Sequence, residues 1–100
     1  MTATTDSFQP AYGSGVTVSP AGTSASSTLG AGSENIVVTN LGSVTVYVRV
    51  GEGAQTATAA DYPVLAGTQV SLSKGRTENT VAYLAASGTG SLNIVPGRGL

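Results

Sequence analysis

One hundred residues, a mass of 9.8 kDa, a formal net charge of −1 and only 9% charged side chains describe a chain with room for one domain. Soluble domains usually carry about 25% charge; here Ser and Thr, 26 positions together, and 13 Ala take that place. This composition excludes a charged disordered tail and a nucleic-acid-binding arm, which need high charge density. With no Cys there is no disulfide scaffold, and no run approaches the ~18 apolar residues of a membrane span.

The absence of His and Cys also removes Ser-His-Asp and Cys-His nucleophilic sites and the usual zinc ligand sets. Five scattered carboxylates remain, Asp6, Glu34, Glu52, Asp61 and Glu78. An acid/base pair for glycoside hydrolysis needs two of them beside a sugar cleft, which so small a chain with 5% aromatics is poorly equipped to build. The expectation is a non-enzymatic protein without metal or cofactor.

In chain order, residues 1–33 read as an extended arm rich in Ser, Thr, Gly and Ala. The opening six residues have no basic region followed by an apolar run, so no signal peptide is expected. Phe8 and Tyr12 flank Pro10, and Val16 and Val18 mark one short strand-like fragment. Residues 19–28 have almost nothing to bury and cannot offset their own ordering entropy. Such a segment either stays disordered or orders on a neighbouring subunit, with the aromatics as anchors and Val16 and Val18 as a strand added to an exposed edge.

From residue 34 to 100 the pattern predicts a β core. Residues 35–39 are a β-branched run, residues 40–43 carry turn chemistry, and residues 44–50 alternate strictly. Four valines fall on one face there, and Thr45, Tyr47 and Arg49 on the other; a hairpin from about 34 to 50 is expected. Arg49 beside Tyr47 is either a partner contact or a cross-strand stack within the chain. Gly51-Glu52-Gly53 starts like a dinucleotide loop but lacks the third glycine and a following helix, so it reads as a plain loop. Asp61-Tyr62-Pro63 is a candidate recognition loop, and Pro63 confines the next strand to a sheet edge. Residues 68–73 alternate again. Lys74-Gly75-Arg76 reads as a solvated hairpin tip. Residues 79–86, apolar on both faces, read as a central strand, with one helical turn at 81–86 as the alternative. Residues 87–90 read as a hairpin turn into a last strand at 91–95.

Short strands about ten residues apart with Gly-rich turns predict an all-β fold, a small antiparallel β-sandwich or jelly-roll-like barrel, with the N-terminal arm outside it. The expected inward set runs through Ile36, Val38, Val44, Val46, Val48, Val50, Leu65, Val70, Leu72, Val81, Leu84, Leu92 and Ile94. Each buried side chain contributes roughly 1.5–3 kcal/mol, and ordering each residue costs about 1.5 kcal/mol. A core of this size without crosslinks is therefore marginal alone, and neighbouring chains are expected to complete it.

The residues Ile36-Val37-Val38-Thr39-Asn40, Val46-Tyr47-Val48-Arg49-Val50-Gly51, Asp61-Tyr62-Pro63-Val64-Leu65-Ala66-Gly67-Thr68 and Val81-Ala82-Tyr83-Leu84-Ala85, then Ser87-Gly88-Thr89-Gly90-Ser91-Leu92, resemble small structural proteins of tailed bacteriophages. More narrowly, the chain is similar over residues 35–99 to capsid decoration (cement) proteins. The resemblance implies a virion protein made in the host cytoplasm that binds the outside of the capsid. Its partners would be the major capsid protein and other copies of itself, a trimer being one arrangement, with no nucleic acid and no membrane. The candidate interface residues are Phe8, Pro10, Tyr12, Val16, Val18, Tyr47, Arg49, Asp61 and Tyr62. A head-tail connector, tail or fibre component is the alternative within this class. A carbohydrate-binding adhesive module, stacking sugars on Tyr47, Tyr62 and Tyr83, is the alternative outside it.

Overall fold

In a computed structural model that describes residues 8–29, 33–75 and 77–98, the chain is all-β, with nine strands and no helix among those residues. They are β1 (Gln9–Pro10), β2 (Val16–Val18), β3 (Ala25–Thr28), β4 (Asn35–Asn40), β5 (Val46–Gly51), β6 (Tyr62–Val64), β7 (Gln69–Ser73), β8 (Thr80–Ala85) and β9 (Leu92–Arg98). One antiparallel sheet has the order β1-β9-β4-β7, with β2 on the same side of β9 as a continuation of β1. The second runs β3-β8-β5-β6. The two pack face to face as a small β-sandwich.

Period-two alternation decides which side chains meet between the sheets. From the first sheet Ile36, Val38, Leu92 and Ile94 point inward, in rows set by Val16↔Ile94, Val38↔Ile94 and Val38↔Val70. From the second come Val46, Val48 and Val64, with Val81 and Tyr83, in rows set by Val46↔Val64 and Val48↔Tyr83. Strand β8 is central, as its two apolar faces predict, and residues 81–85 are strand rather than a helical turn. Strand β6 is an edge, where Pro63 deprives no neighbour of a ladder hydrogen bond.

Several expectations are corrected. The segment expected as an arm is extended but not separate. Strands β1 and β2 lie along β9, β3 lies along β8, and Leu29 is buried in the shared core. Its small polar residues bury little themselves, but their main chain completes an edge of each sheet. Val16 and Val18 do add a strand to an edge, and that edge belongs to this chain. Residues 1–7 and 30–32 lie outside the described residues.

The hairpin expected over 34–50 does not form. Strand β4 is already paired on both sides, by β7 and β9, so the chain crosses at residues 41–45 to start β5 in the other sheet. The hairpin turn expected at 87–90 does not form either: residues 86–91 join β8 of one sheet to β9 of the other. Leu65 is exposed and Val64 takes the inward position, because Val64 is the residue opposite Val46. Val44 and Leu84 are only half-buried. Lys74 is not a solvated tip: it is buried, and its ammonium donates to the carbonyls of Gly75 and Glu78 at 3.2 and 2.7 Å. Arg76 lies outside the described residues.

Candidate interaction surfaces

The strand directions leave one end of the sandwich without charged side chains. Strands β4, β6 and β8 run toward the end that carries residues 41–45, 65–68 and 86–91, while β5, β7 and β9 run away from it. Residues 19–23 join that end, since Gly90 N–H donates to Pro20 O and Ala85 N–H to Ala21 O. None of these segments contains Asp, Glu, Lys or Arg. Glu34, Glu52, Lys74, Glu78 and Arg98 flank the opposite ends of the strands.

Asn40 holds the uncharged end together. It is buried, with its amide donating to Val44 O at 2.8 Å and to Val64 O at 2.9 Å, and its carbonyl oxygen accepting from Gly42 N–H at 3.0 Å. Its main chain bonds Gly67 and Thr68. One residue, through its side chain and its main chain, therefore ties the β4–β5 connection to the end of β6 and the β6–β7 connection. Leu41 and Leu65 stand on the two segments so joined, and each is 58% exposed. A lone exposed leucine is ordinary. Two on one end without charge make a surface that sheds water at little electrostatic cost.

A second feature lies on the outer face of the first sheet. There a groove of about 490 Å³ is floored by Val37, Thr39, Gln69, Asn93 and Val95 and walled by the segment from Phe8 to Gly15. The wall leaves the β9 edge between β1 and β2 as a turn: Ala11 N–H donates to Pro96 O at 2.8 Å, and Ser14 N–H closes back onto Ala11 O at 3.0 Å. Gly13 takes φ +83° inside that turn, which favours glycine. The turn presents Tyr12, 84% exposed. Phe8 packs over Gly97, where any Cβ would collide with the Phe8 ring and with Gln9 O.

The candidate interface residues thus do not form one surface. Phe8, Pro10 and Tyr12 line the groove. Val16 and Val18 are half-buried against β9. Tyr47 and Arg49 are on the outer face of the second sheet, where Arg49 Nε donates to Asp61 Oδ1 at 3.0 Å. This intrachain ion pair with Asp61 is neither of the two roles expected for Arg49, a partner contact or a cross-strand stack. The other Asp61 oxygen accepts from Thr58 N–H at 2.7 Å, so this carboxylate shapes its own loop. Tyr62 is half-exposed on edge strand β6. The three tyrosines considered as a sugar platform are dispersed as well. Tyr83 is buried with its hydroxyl on Ser27 Oγ at 2.8 Å, and Tyr47 and Tyr62 have opposite strand parity.

Leu41, Leu65, Thr39, Gln69 and Asn93 were not among the interface residues expected from the sequence, and Leu65 was expected in the core. The uncharged loops were visible as composition, but which of them share an end depends on strand direction and sheet assignment. Among the described residues no three His, Cys, Asp or Glu come together as a metal site, and no helix is long and apolar enough to cross a membrane.

The fold defines a small antiparallel β-sandwich. No family model and no curated protein matches the chain. It is similar to a solved structure, the crystal structure of PirA, with a TM-score of 0.58 over 83% of this chain and 93% of that one at 11% identity. That likeness shows the fold alone.

Proposed function

We propose that the protein is a non-enzymatic structural protein of a phage virion that seats its uncharged end on the outer capsid surface and stabilises contacts between major capsid protein subunits. The observation that carries this reading is the segregation of charge: one end of the sandwich has no charged side chain on its loops and bears Leu41 and Leu65, both 58% exposed. Charged groups buried without partners cost several kcal/mol each, so a surface without them is suited to closing against another protein. The residue-level resemblance to decoration proteins points the same way. Binding only the assembled shell would stabilise it by mass action.

Cosedimentation of the purified protein with heads of the phage that carries its gene, produced without their own copy, tests this. Saturation in proportion to the major capsid protein supports the reading. Saturation at a single vertex moves the protein to the head-tail connector. Heads that bind none contradict a place on the virion head.

A further inference from the structure

The groove on the first sheet has a chemistry of its own. Its lining holds no Asp, Glu, Lys or Arg. Across its floor runs a polar row on four adjacent strands, set by Thr17↔Asn93, Thr39↔Asn93 and Thr39↔Gln69. Gln69 Nε2 donates to Thr39 Oγ1 at 2.8 Å, and Asn93 Nδ2 donates to Thr17 Oγ1 at 3.1 Å. Both amides are thereby pinned by neighbours within the row, and each keeps its carbonyl oxygen as an acceptor for a ligand. Next to that row Val37 and Val95 form an apolar strip. At the wall Tyr12 stands on a turn whose main chain is hydrogen-bonded, with its ring exposed at the rim of the groove.

We propose that this groove binds a neutral hexose unit of an oligosaccharide. A pyranose ring has an apolar C–H face and a rim of hydroxyls. The C–H face suits the negative π face of Tyr12; the hydroxyls suit the acceptors of Asn93 and Gln69 and the Thr39 hydroxyl. A wholly apolar ligand would strip water from the carbonyl oxygens of Asn93 and Gln69 and leave them unpaired, which is costly. A phosphate or sulfate would find no cation, and a cationic group no carboxylate. The volume lies within the ~300–1,000 Å³ of small-molecule sites. This site differs from the one proposed for sugars on sequence grounds, which used Tyr47, Tyr62 and Tyr83. It shares no residue with the uncharged end, so it stands or falls apart from capsid docking.

The test is a titration of the ¹⁵N-labelled full chain, followed by amide shifts, with maltotriose, cellotriose, lactose, mannotriose and chitotriose, and with sialyllactose as the charged counterpart of lactose. At least one neutral sugar should shift amides of residues 11–15, 37–39, 69 and 93–95, and sialyllactose should bind no better than lactose. Tyr12→Ala should weaken binding about tenfold, as loss of an aromatic contact does, and Gln69→Ala should weaken it with no change in thermal midpoint. The proposal is overturned if all the neutral sugars leave the spectrum unchanged. It is equally overturned if the shifts fall on residues 41–45 and 65–68, if sialyllactose is preferred, or if Tyr12→Ala binds as tightly as the parent.

Discussion

Asn40 is the side chain on which the uncharged end depends. It is a buried polar residue whose three side-chain contacts go to the β4–β5 connection and to the last residue of β6. Replacing it by Ala leaves the carbonyls of Val44 and Val64 without the amide donor, and unmade bonds at buried groups cost about 1–3 kcal/mol each. Asn40→Ala is therefore expected to lower unfolding free energy by roughly 2–4 kcal/mol in urea melts. Asn40→Asp should lower it further, because a carboxylate would face two carbonyl oxygens. A loss below about 0.5 kcal/mol, the scale of a surface substitution, would show that the end is held by other contacts. At this scale the sequence was partly legible. The alternation through Val46 and Val48 placed both inward. The three-residue stretch at Pro63 offered no phase, and so Leu65 was taken for core where Val64 is.

At the scale of elements, the strands were easier to read than their pairing. β4, β5, β7, β8 and β9 each carry a local pattern of β-branched or alternating residues. β3, Ala-Ser-Ser-Thr, carries none and is a strand because β8 offers it an edge. Pairing was illegible for a related reason: short Gly-containing connections suit a hairpin and a sheet-to-sheet crossing equally. What decides between them is that both edges of β4 are occupied by strands distant in sequence. The same topology makes the N-terminal segment structural. Deleting residues 1–29 removes the β9 partner strands, the β8 partner strand and Leu29 from the core, and should abolish cooperative unfolding and amide dispersion. A truncated chain with an unchanged melting midpoint would return the segment to the status of a dispensable arm.

For the whole molecule, charge distribution matters more than net charge. A net −1 spread evenly would mark a bland surface. Here the strand order gathers Glu34, Glu52, Lys74, Glu78 and Arg98 at one end and leaves the other with none. The sandwich also draws on more of the chain than residues 34–100, since Leu29, Val16 and Val18 join its core. The expectation that neighbours must complete a marginal core therefore loses much of its force, and capsid docking is better grounded in the surface than in a stability deficit. Leu41 and Leu65 are the residues to change, because both are exposed and an aspartate at either costs the free protein little. At a closed interface the same aspartate is a buried, unpaired charge. The decisive measurement is the affinity of Leu41→Asp/Leu65→Asp for purified heads, with its melting midpoint and that of the parent as control. The account predicts an unchanged midpoint and head binding weakened by at least about tenfold, equivalent to 1.4 kcal/mol; head binding at parental strength would contradict it.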